Sequence, residues 1–272
     1  MRRLLLILLG GIAVGYLAIV GLVYVLQDRL LFPAFPIPRE ELDAWATAWE
    51  LEQVEVTGAD GTRILVMHRP AGGERAVIFH HGNGGGIQSI AAIASYLPGV
   101  DVYSFSYRSY PGSDPVPPSE AGLIADARAV WDHVTQVDHI PPERIVLHGQ
   151  SLGGGVVHGL LMEVTPKAVV FDSTFTSAVD VARRQYAWLP VDLLMRNRFP
   201  SAERAPRVKA PVLLLHGTDD HFIPFAHAER LAALLPDARL MAVPGRGHDD
   251  WLLDQPEVQA AYRAFVSSQI GP

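Results

Sequence analysis

The chain has 272 residues, a formal net charge of −7 and no cysteine. That length suits one large α/β domain with a complete core. The acidic balance argues against a nucleic-acid partner, and the absence of cysteine excludes disulfides, zinc-thiolate sites and a cysteine nucleophile.

The chain begins with a long apolar run. Residues 4–26 carry no charged side chain, and about 23 residues of helix span roughly 34 Å, enough to cross a hydrocarbon core of about 30 Å. A cleaved signal peptide would have a shorter apolar region, of about 7 to 15 residues, followed by a small-residue cleavage site. The length therefore favours residues 1–26 as an uncleaved membrane anchor.

Charges on either side of this run predict its orientation. Arg2, Arg3 and the terminal amine precede it, whereas Asp28 partly offsets Arg29 after it. The positive-inside rule then predicts a single-pass protein with a cytoplasmic N-terminus. The rest of the chain would lie outside, in the periplasm or beyond the cytoplasm if the source is bacterial.

A linker and then a series of strands follow. Residues 27–50 are predicted as the linker, because the prolines between residues 33 and 38 cannot propagate a helix. The Asp60-Gly61 turn between β-rich runs at 51–57 and 62–68 predicts a hairpin. Six continuous apolar runs come next, at residues 76–80, 100–105, 144–148, 168–171, 212–216 and 239–243.

Continuous apolar runs are typical of parallel strands that are buried on both faces. Helical stretches alternate with them, at residues 87–97, 119–137, 152–164, 225–235 and 257–267. The pattern predicts an α/β domain over residues 51–272, with about eight strands, two antiparallel and the rest parallel, and helices on both faces. Residues 174–210 add aromatic and apolar material such as Tyr186 and Trp188, which predicts a cap over a site.

One glycine-rich turn has the form of a nucleophile elbow. Gly149-Gln150-Ser151-Leu152-Gly153 follows a buried strand and precedes a helical stretch. In such an elbow a tight turn exposes the serine at a helix N-terminus, where negative charge is favoured. An ordinary glycine-rich turn can also read G-x-S-x-G, but the strand-turn-helix context favours Ser151 as a nucleophile.

A serine hydroxyl needs a general base, and the base needs an orienting acid. His248 follows the last predicted strand, which is where the chain order serine, acid, histidine expects the base. Asp220, after the penultimate strand, is the predicted acid, with the adjacent Asp219 and the earlier Asp172 as alternatives. The other histidines are interpreted as structural.

Acyl transfer also needs hydrogen-bond donors for the oxyanion. The expected donors are the N–H of Leu152, directly after the serine, and the N–H of Asn83 in the glycine-rich loop at 80–86. This loop lacks both the Gly-Lys-Ser/Thr ending and the G-x-G-x-x-G spacing of phosphate-binding loops. No metal or organic cofactor is implied.

In these motifs the chain resembles the BEM46-type α/β-hydrolases, which are related to the mammalian α/β-hydrolase domain proteins 12, 13 and 17. The resemblance covers nearly the whole chain, including the span and the segments 27–33, 79–85, 106–113, 149–154, 172–177 and 197–199. It implies an α/β-hydrolase fold, with Ser151 as nucleophile, Asp220 as acid, His248 as base, and Asn83 and Leu152 as oxyanion donors. The usual Tyr-Arg-Gly-Tyr-Gly turn reads Tyr-Arg-Ser-Tyr-Pro here, at residues 107–111.

Members of that family are serine esterases, thioesterases or lipid hydrolases. The resulting hypothesis is a membrane-anchored serine hydrolase that cleaves carboxylic ester or thioester bonds through an acyl-enzyme. Its substrate would be a small acyl ester or thioester, with a lipid and an acylated protein as the options. The alternatives are a serine peptidase of the same fold and a catalytically silent membrane scaffold.

Overall fold

The computed structural model describes residues 1–271, which contain ten α-helices and one sheet of eight strands. The strands are β1 (Glu52–Thr57), β2 (Arg63–Arg69), β3 (Ala76–His80), β4 (Asp101–Phe105), β5 (Ile145–Gln150), β6 (Ala168–Asp172), β7 (Val212–Gly217) and β8 (Ala238–Val243). Their order across the sheet is β1-β2-β4-β3-β5-β6-β7-β8. The β1–β2 and β2–β4 pairs are antiparallel and the others parallel, which confirms the predicted sheet.

The helices cover both faces of this sheet. They are α1 (Arg2–Leu31), α2 (Arg39–Ala48), α3 (Ile90–Tyr96), α4 (Glu120–Gln136), α5 (Leu152–Leu160), α6 (Ala178–Gln185), α7 (Val191–Leu194), α8 (Ser201–Arg204), α9 (Ala226–Leu234) and α10 (Pro256–Ile270). Helices α4, α5 and α9 contribute to the core on one face, and α2, α3 and α10 to the core on the other. In β3, Ala76 and Ile78 face the first core while Val77 and Phe79 face the second, because successive strand side chains point to opposite faces.

The N-terminal region differs from the predicted division into anchor and linker. Helix α1 is 30 residues long and continues to Leu31, and it is long and apolar enough to cross a membrane. Within the predicted linker, α2 begins after Pro38, has two acidic residues in its first turn, and buries Leu42 and Ala46. These two residues are four apart and so lie on one helical face. Packing of this face on the sheet stabilises the helix, whereas the preceding prolines determine only where it begins.

Residues 174–210 lie between β6 and β7 and contain α6, α7 and α8. Ser177 caps α6, since its Oγ accepts a hydrogen bond of 3.0 Å from the Asp180 N–H. Val179 of α6 forms a small buried cluster with Leu189 and Val191, apart from the two main cores. This segment is called the cap below.

Candidate active site

Ser151 lies in the turn between β5 and α5 with an unusual backbone conformation. Its φ angle is +49°, in a region that non-glycine residues rarely occupy. Two hydrogen bonds hold it there: the Ser151 N–H donates to the Asp172 carbonyl (2.8 Å), and the Thr174 hydroxyl donates to the Ser151 carbonyl (3.0 Å). The strained turn is therefore fixed by strand β6 and by the segment that directly follows it.

The glycines of this turn are required by its close backbone contacts. A β-carbon at Gly149 would lie 2.7 Å from the Gly153 carbonyl oxygen, and one at Gly153 would overlap the carbonyl of His80. A β-carbon at Gly82 would lie 3.2 Å from the Ser151 β-carbon. The loop after β3 thus passes directly against the serine.

Ser151, His248 and Asp220 form one hydrogen-bonded line. The Ser151 Oγ is 3.1 Å from His248 Nε2, and His248 Nδ1 is 2.7 Å from Asp220 Oδ2. The other carboxylate oxygen, Oδ1, accepts the N–H groups of Phe222 (2.9 Å) and Ile223 (2.7 Å). The structure therefore brings together the three residues that the sequence singled out.

The electrostatics of this line favour a charged acid. Burial raises the pKa of Asp220, but hydrogen bonds from His216 and His248 outweigh it and hold the pKa well below its usual range. A carboxylate that stays ionised can orient the His248 ring and stabilise its protonated form.

The two alternative acids lie elsewhere. Asp219 is exposed, and its carboxylate accepts a hydrogen bond from Thr218 (3.0 Å). Asp172 is buried at the end of β6, where Oδ1 accepts the Ser173 hydroxyl (2.9 Å) while Oδ2 has no partner within the described residues. Burial raises the pKa of Asp172 to about 6. Of the three aspartates, Asp220 is the one hydrogen-bonded to His248.

His216 belongs to the acid's surroundings, although the sequence interpretation treated it as an ordinary strand end. Its Nε2 lies 2.7 Å from the Ile223 carbonyl and 3.3 Å from Asp220 Oδ2. It therefore holds the loop that carries the acid. The only sequence signal is the spacing of four residues between His216 and Asp220.

His80, the last residue of β3, and His81, the residue after it, are both buried. Burial lowers the pKa of His80 and of His81 to about 4. The His81 carbonyl accepts the Tyr107 hydroxyl at 3.2 Å. These contacts agree with the structural role expected of these side chains.

The two residues predicted to supply the oxyanion donors are Leu152 and Asn83. Leu152 is the first residue of α5, and the first N–H groups of a helix have no partner within it. Asn83 lies in the exposed loop after β3. Both residues line the same cavity as Ser151.

This cavity has a volume of about 240 Å³ and is mainly apolar. Ser151, Leu152 and Ile223 are among its lining residues, and the cap supplies much of the remaining lining. Helix α1 forms another part of its wall, a contribution that sequence reasoning did not anticipate. That lining from α1 consists of Val23, Tyr24, Gln27, Leu30 and Leu31.

Comparisons with known proteins agree with this fold. Residues 75–208 match the sequence model of the α/β-hydrolase fold family, and residues 184–269 match that of TAP-like proteins. The uncharacterized protein Rv2307c of Mycobacterium tuberculosis is 38% identical over 250 residues, covering 89% of this chain and 87% of that protein. The α/β-hydrolase domain-containing protein aho-3 of Caenorhabditis elegans is 30% identical over 246 residues, covering 82% of this chain and 70% of that protein.

Solved structures share the architecture at lower sequence identity. An esterase from Pyrococcus furiosus superposes with a TM-score of 0.67 at 20% identity, covering 83% of this chain and 96% of that one. A puromycin-hydrolyzing peptidase from Mycobacterium tuberculosis superposes with a TM-score of 0.66 at 18% identity, covering 81% of this chain and 40% of that one. At these identities the likeness concerns the fold alone.

Proposed function

Because the chain belongs to the α/β-hydrolase family, we propose that it is a serine hydrolase that cleaves carboxylic ester or thioester bonds of acyl substrates. The observation that carries this proposal is the hydrogen-bonded line of Ser151, His248 and Asp220, together with the apolar cavity that Ser151 lines. A serine activated in this way is a nucleophile, and an apolar cavity accommodates an acyl chain.

The reaction proceeds through an acyl-enzyme. As Ser151 Oγ forms a bond to the carbonyl carbon, His248 Nε2 takes its proton, and Asp220 stabilises the imidazolium. The bond to the leaving oxygen or sulfur then breaks, and His248 returns the proton to that atom. Water attacks the acyl-serine with the same base, releasing the acid, while the N–H groups of Asn83 and Leu152 bind the oxyanion in both steps.

The lining of the cavity favours esters over peptides. None of the described residues that line it is an aspartate or a glutamate, so they offer no carboxylate to pair with a substrate amine. A peptidase that grips an amine would need such a group. The peptidase with the same fold remains an outcome of the experiment below.

The proposal includes membrane anchoring. Helix α1 has the length and apolar composition of a membrane span. Arg2 and Arg3 precede the apolar run, whereas after it Asp28 partly offsets the single Arg29, and this bias favours a cytoplasmic N-terminus with the catalytic domain outside. An acyl substrate that resides in the membrane would then be close to the cavity.

Fluorophosphonate labelling of the full-length protein in detergent tests the nucleophile. We expect labelling of the wild type and none of Ser151→Ala, together with hydrolysis of nitrophenyl esters and thioesters that the variant lacks. Persistent labelling of Ser151→Ala would make the nucleophile assignment wrong. Absence of labelling from both would support a scaffold, and hydrolysis of aminoacyl arylamides faster than matched esters would support a peptidase.

A further inference from the structure

The C-terminal end of α1 is docked on the cap by polar contacts. Gln27 accepts a hydrogen bond from the Arg196 N–H (2.9 Å) and donates one to the Leu194 carbonyl (3.1 Å). Asp28 accepts hydrogen bonds from the Arg196 guanidinium (2.7 Å) and the Asn197 amide (2.8 Å). Two adjacent side chains of α1 thus contact four groups of the cap, on Leu194, Arg196 and Asn197.

These contacts fix the rotation of α1 about its own axis. Each exposed ion pair is worth little by itself, but Gln27 pairs with backbone groups whose positions the cap determines. The Arg196 guanidinium also lies over the Tyr24 ring, 5.2 Å from its centre, a favourable cation–π distance. One particular face of α1 is therefore turned toward the cavity.

That face carries Gln27 and three apolar side chains at helical spacing. Val23, Gln27, Leu30 and Leu31 follow one another at intervals of four, three and one residues, which places them on one side of the helix. All four line the cavity beside Ser151. The cavity would be open on this side without α1.

The two ends of this face of α1 pack against different parts of the domain. Leu31 packs against the core on the face of the sheet that α5 covers, and the ring of the next residue, Phe32, meets that of Phe199, which lies beside Gly155 of α5. Val23 packs instead in the small cluster of Leu189 and Val191. Eight residues of helix separate Val23 from Leu31, a distance of about 12 Å, so the cavity extends along α1 from the catalytic end toward Val23.

We propose that α1 is a specificity-determining part of the active site, with Val23 limiting the length of the acyl chain that the cavity accepts. The inference rests on the proposed serine-hydrolase function. The acyl carbonyl lies at Ser151, and the chain follows α1 toward the cluster of Val23, Leu189 and Val191. The helix thus selects the substrate in addition to holding the protein at a membrane.

Chain-length profiles of the full-length protein test this role. Val23→Phe narrows the distal end of the cavity, and we expect kcat/KM for nitrophenyl palmitate to fall at least about 10-fold relative to the butyrate, as for other pockets that exclude methylene groups. Val25→Phe is the matched control, because Val25 is 71% exposed and is not among the cavity-lining residues. Its profile should equal that of the wild type.

A second substitution keeps the test decisive if Val23→Phe does not fold. Val23→Ala enlarges the distal end and should shift the optimum toward longer chains. An unchanged profile in a folded Val23 variant, with normal fluorophosphonate labelling of Ser151, would overturn the role of α1 and leave the proposed function standing. Absence of labelling in the wild type would instead overturn the proposed function.

Discussion

At the scale of single residues, the acid loop shows how burial and hydrogen bonding oppose each other. Asp220 is 3% exposed, and an ionised carboxylate is costly to bury. Two backbone N–H groups and two histidines compensate for that cost. Its neighbour Asp219 is exposed and lies outside this network. The two adjacent aspartates therefore form a natural pair for comparison.

Asp220→Asn should lower kcat by about 10⁴-fold while the protein stays folded, because an amide favours the wrong tautomer of the histidine. Asp219→Asn, with the same change in charge one residue earlier, should alter kcat by less than about threefold, as expected for a surface position. Hydrolysis of a nitrophenyl ester by the two full-length variants measures both effects. Equal losses in the two variants would show that Asp220 is not the acid.

Asp172 should make stability depend on pH. Its pKa in the folded state is raised to about 6 by burial, so the folded state binds the proton more tightly than the unfolded state. The resulting stabilisation is present at low pH and is lost as the pH rises through about 6. Asp172→Asn carries no charge and should stabilise the protein at pH 8, by on the order of 2 to 3 kcal/mol.

Thermal unfolding of the wild type and Asp172→Asn, in one detergent at pH 8 and at pH 4, checks this prediction. The difference between their midpoints should disappear at pH 4, where the wild-type side chain is protonated. A difference that is independent of pH would point to lost hydrogen bonding rather than to charge.

At the scale of elements, a buried ion pair joins the loop after β4 to α4. The Arg108 guanidinium and backbone N–H both bond to the Asp126 carboxylate, at 2.7 to 3.2 Å. The side chains are 7% and 1% exposed. By contrast, Arg63 pairs with Asp114 while its own side chain is 58% exposed. Removing one partner of a buried pair leaves an uncompensated charge, whereas an exposed pair exchanges its partner for water.

Arg108→Ala should therefore lower the free energy of unfolding by about 3 to 5 kcal/mol, and Arg63→Ala by less than about 1 kcal/mol. Urea unfolding followed by tryptophan fluorescence compares the two variants. Similar midpoints would mean that solvent reaches Asp126 and that the pair does not fix the loop.

Periodicity and turn residues made most elements predictable, and tertiary contacts account for the rest. The continuous apolar runs predicted the parallel strands, and Asp60-Gly61 predicted the hairpin. Helix α2 was missed because Leu42 and Ala46 are too few apolar residues to reveal a face without the sheet they pack on. Ser109 has a φ of +69°, and the resembled family has glycine at this position. Glycine adopts a positive φ readily, so the backbone conformation of the family's turn is kept here although the residue differs.

At the scale of the whole molecule, the predicted orientation can be measured. An alkaline phosphatase fused to the C-terminus should be active in bacterial cells, because the enzyme matures only outside the cytoplasm. Replacing Arg2 and Arg3 together by glutamate should reduce that activity several-fold, since it removes the positive-inside bias. Strong fluorescence of a C-terminal green fluorescent protein, with no phosphatase activity, would contradict the orientation.

The nucleophile, base and acid could be proposed from the sequence because each is tied to the end of a recognisable strand. The participation of α1 in the cavity could not be foreseen, because an apolar run of this length has the same appearance whether lipid or protein surrounds it. Its contacts depend on Arg196 and Asn197, about 170 positions away along the chain. Contacts between residues so far apart along the chain leave no local sequence pattern from which they could be predicted.

The contact between Tyr16 and Trp188 bears on how the reaction should be assayed. The Tyr16 hydroxyl donates to the Trp188 carbonyl (3.0 Å), and the two rings meet edge to face at 6.5 Å. Tyr16 lies about 15 Å along the helix from Leu26. With α1 across a bilayer, the part of the cap that contacts Tyr16 therefore reaches into one leaflet. Leu193 of the cap is 86% exposed. The rate would then follow the mole fraction of substrate among lipids. Inert lipid would slow the reaction, whereas diluting the vesicles with buffer would leave it unchanged.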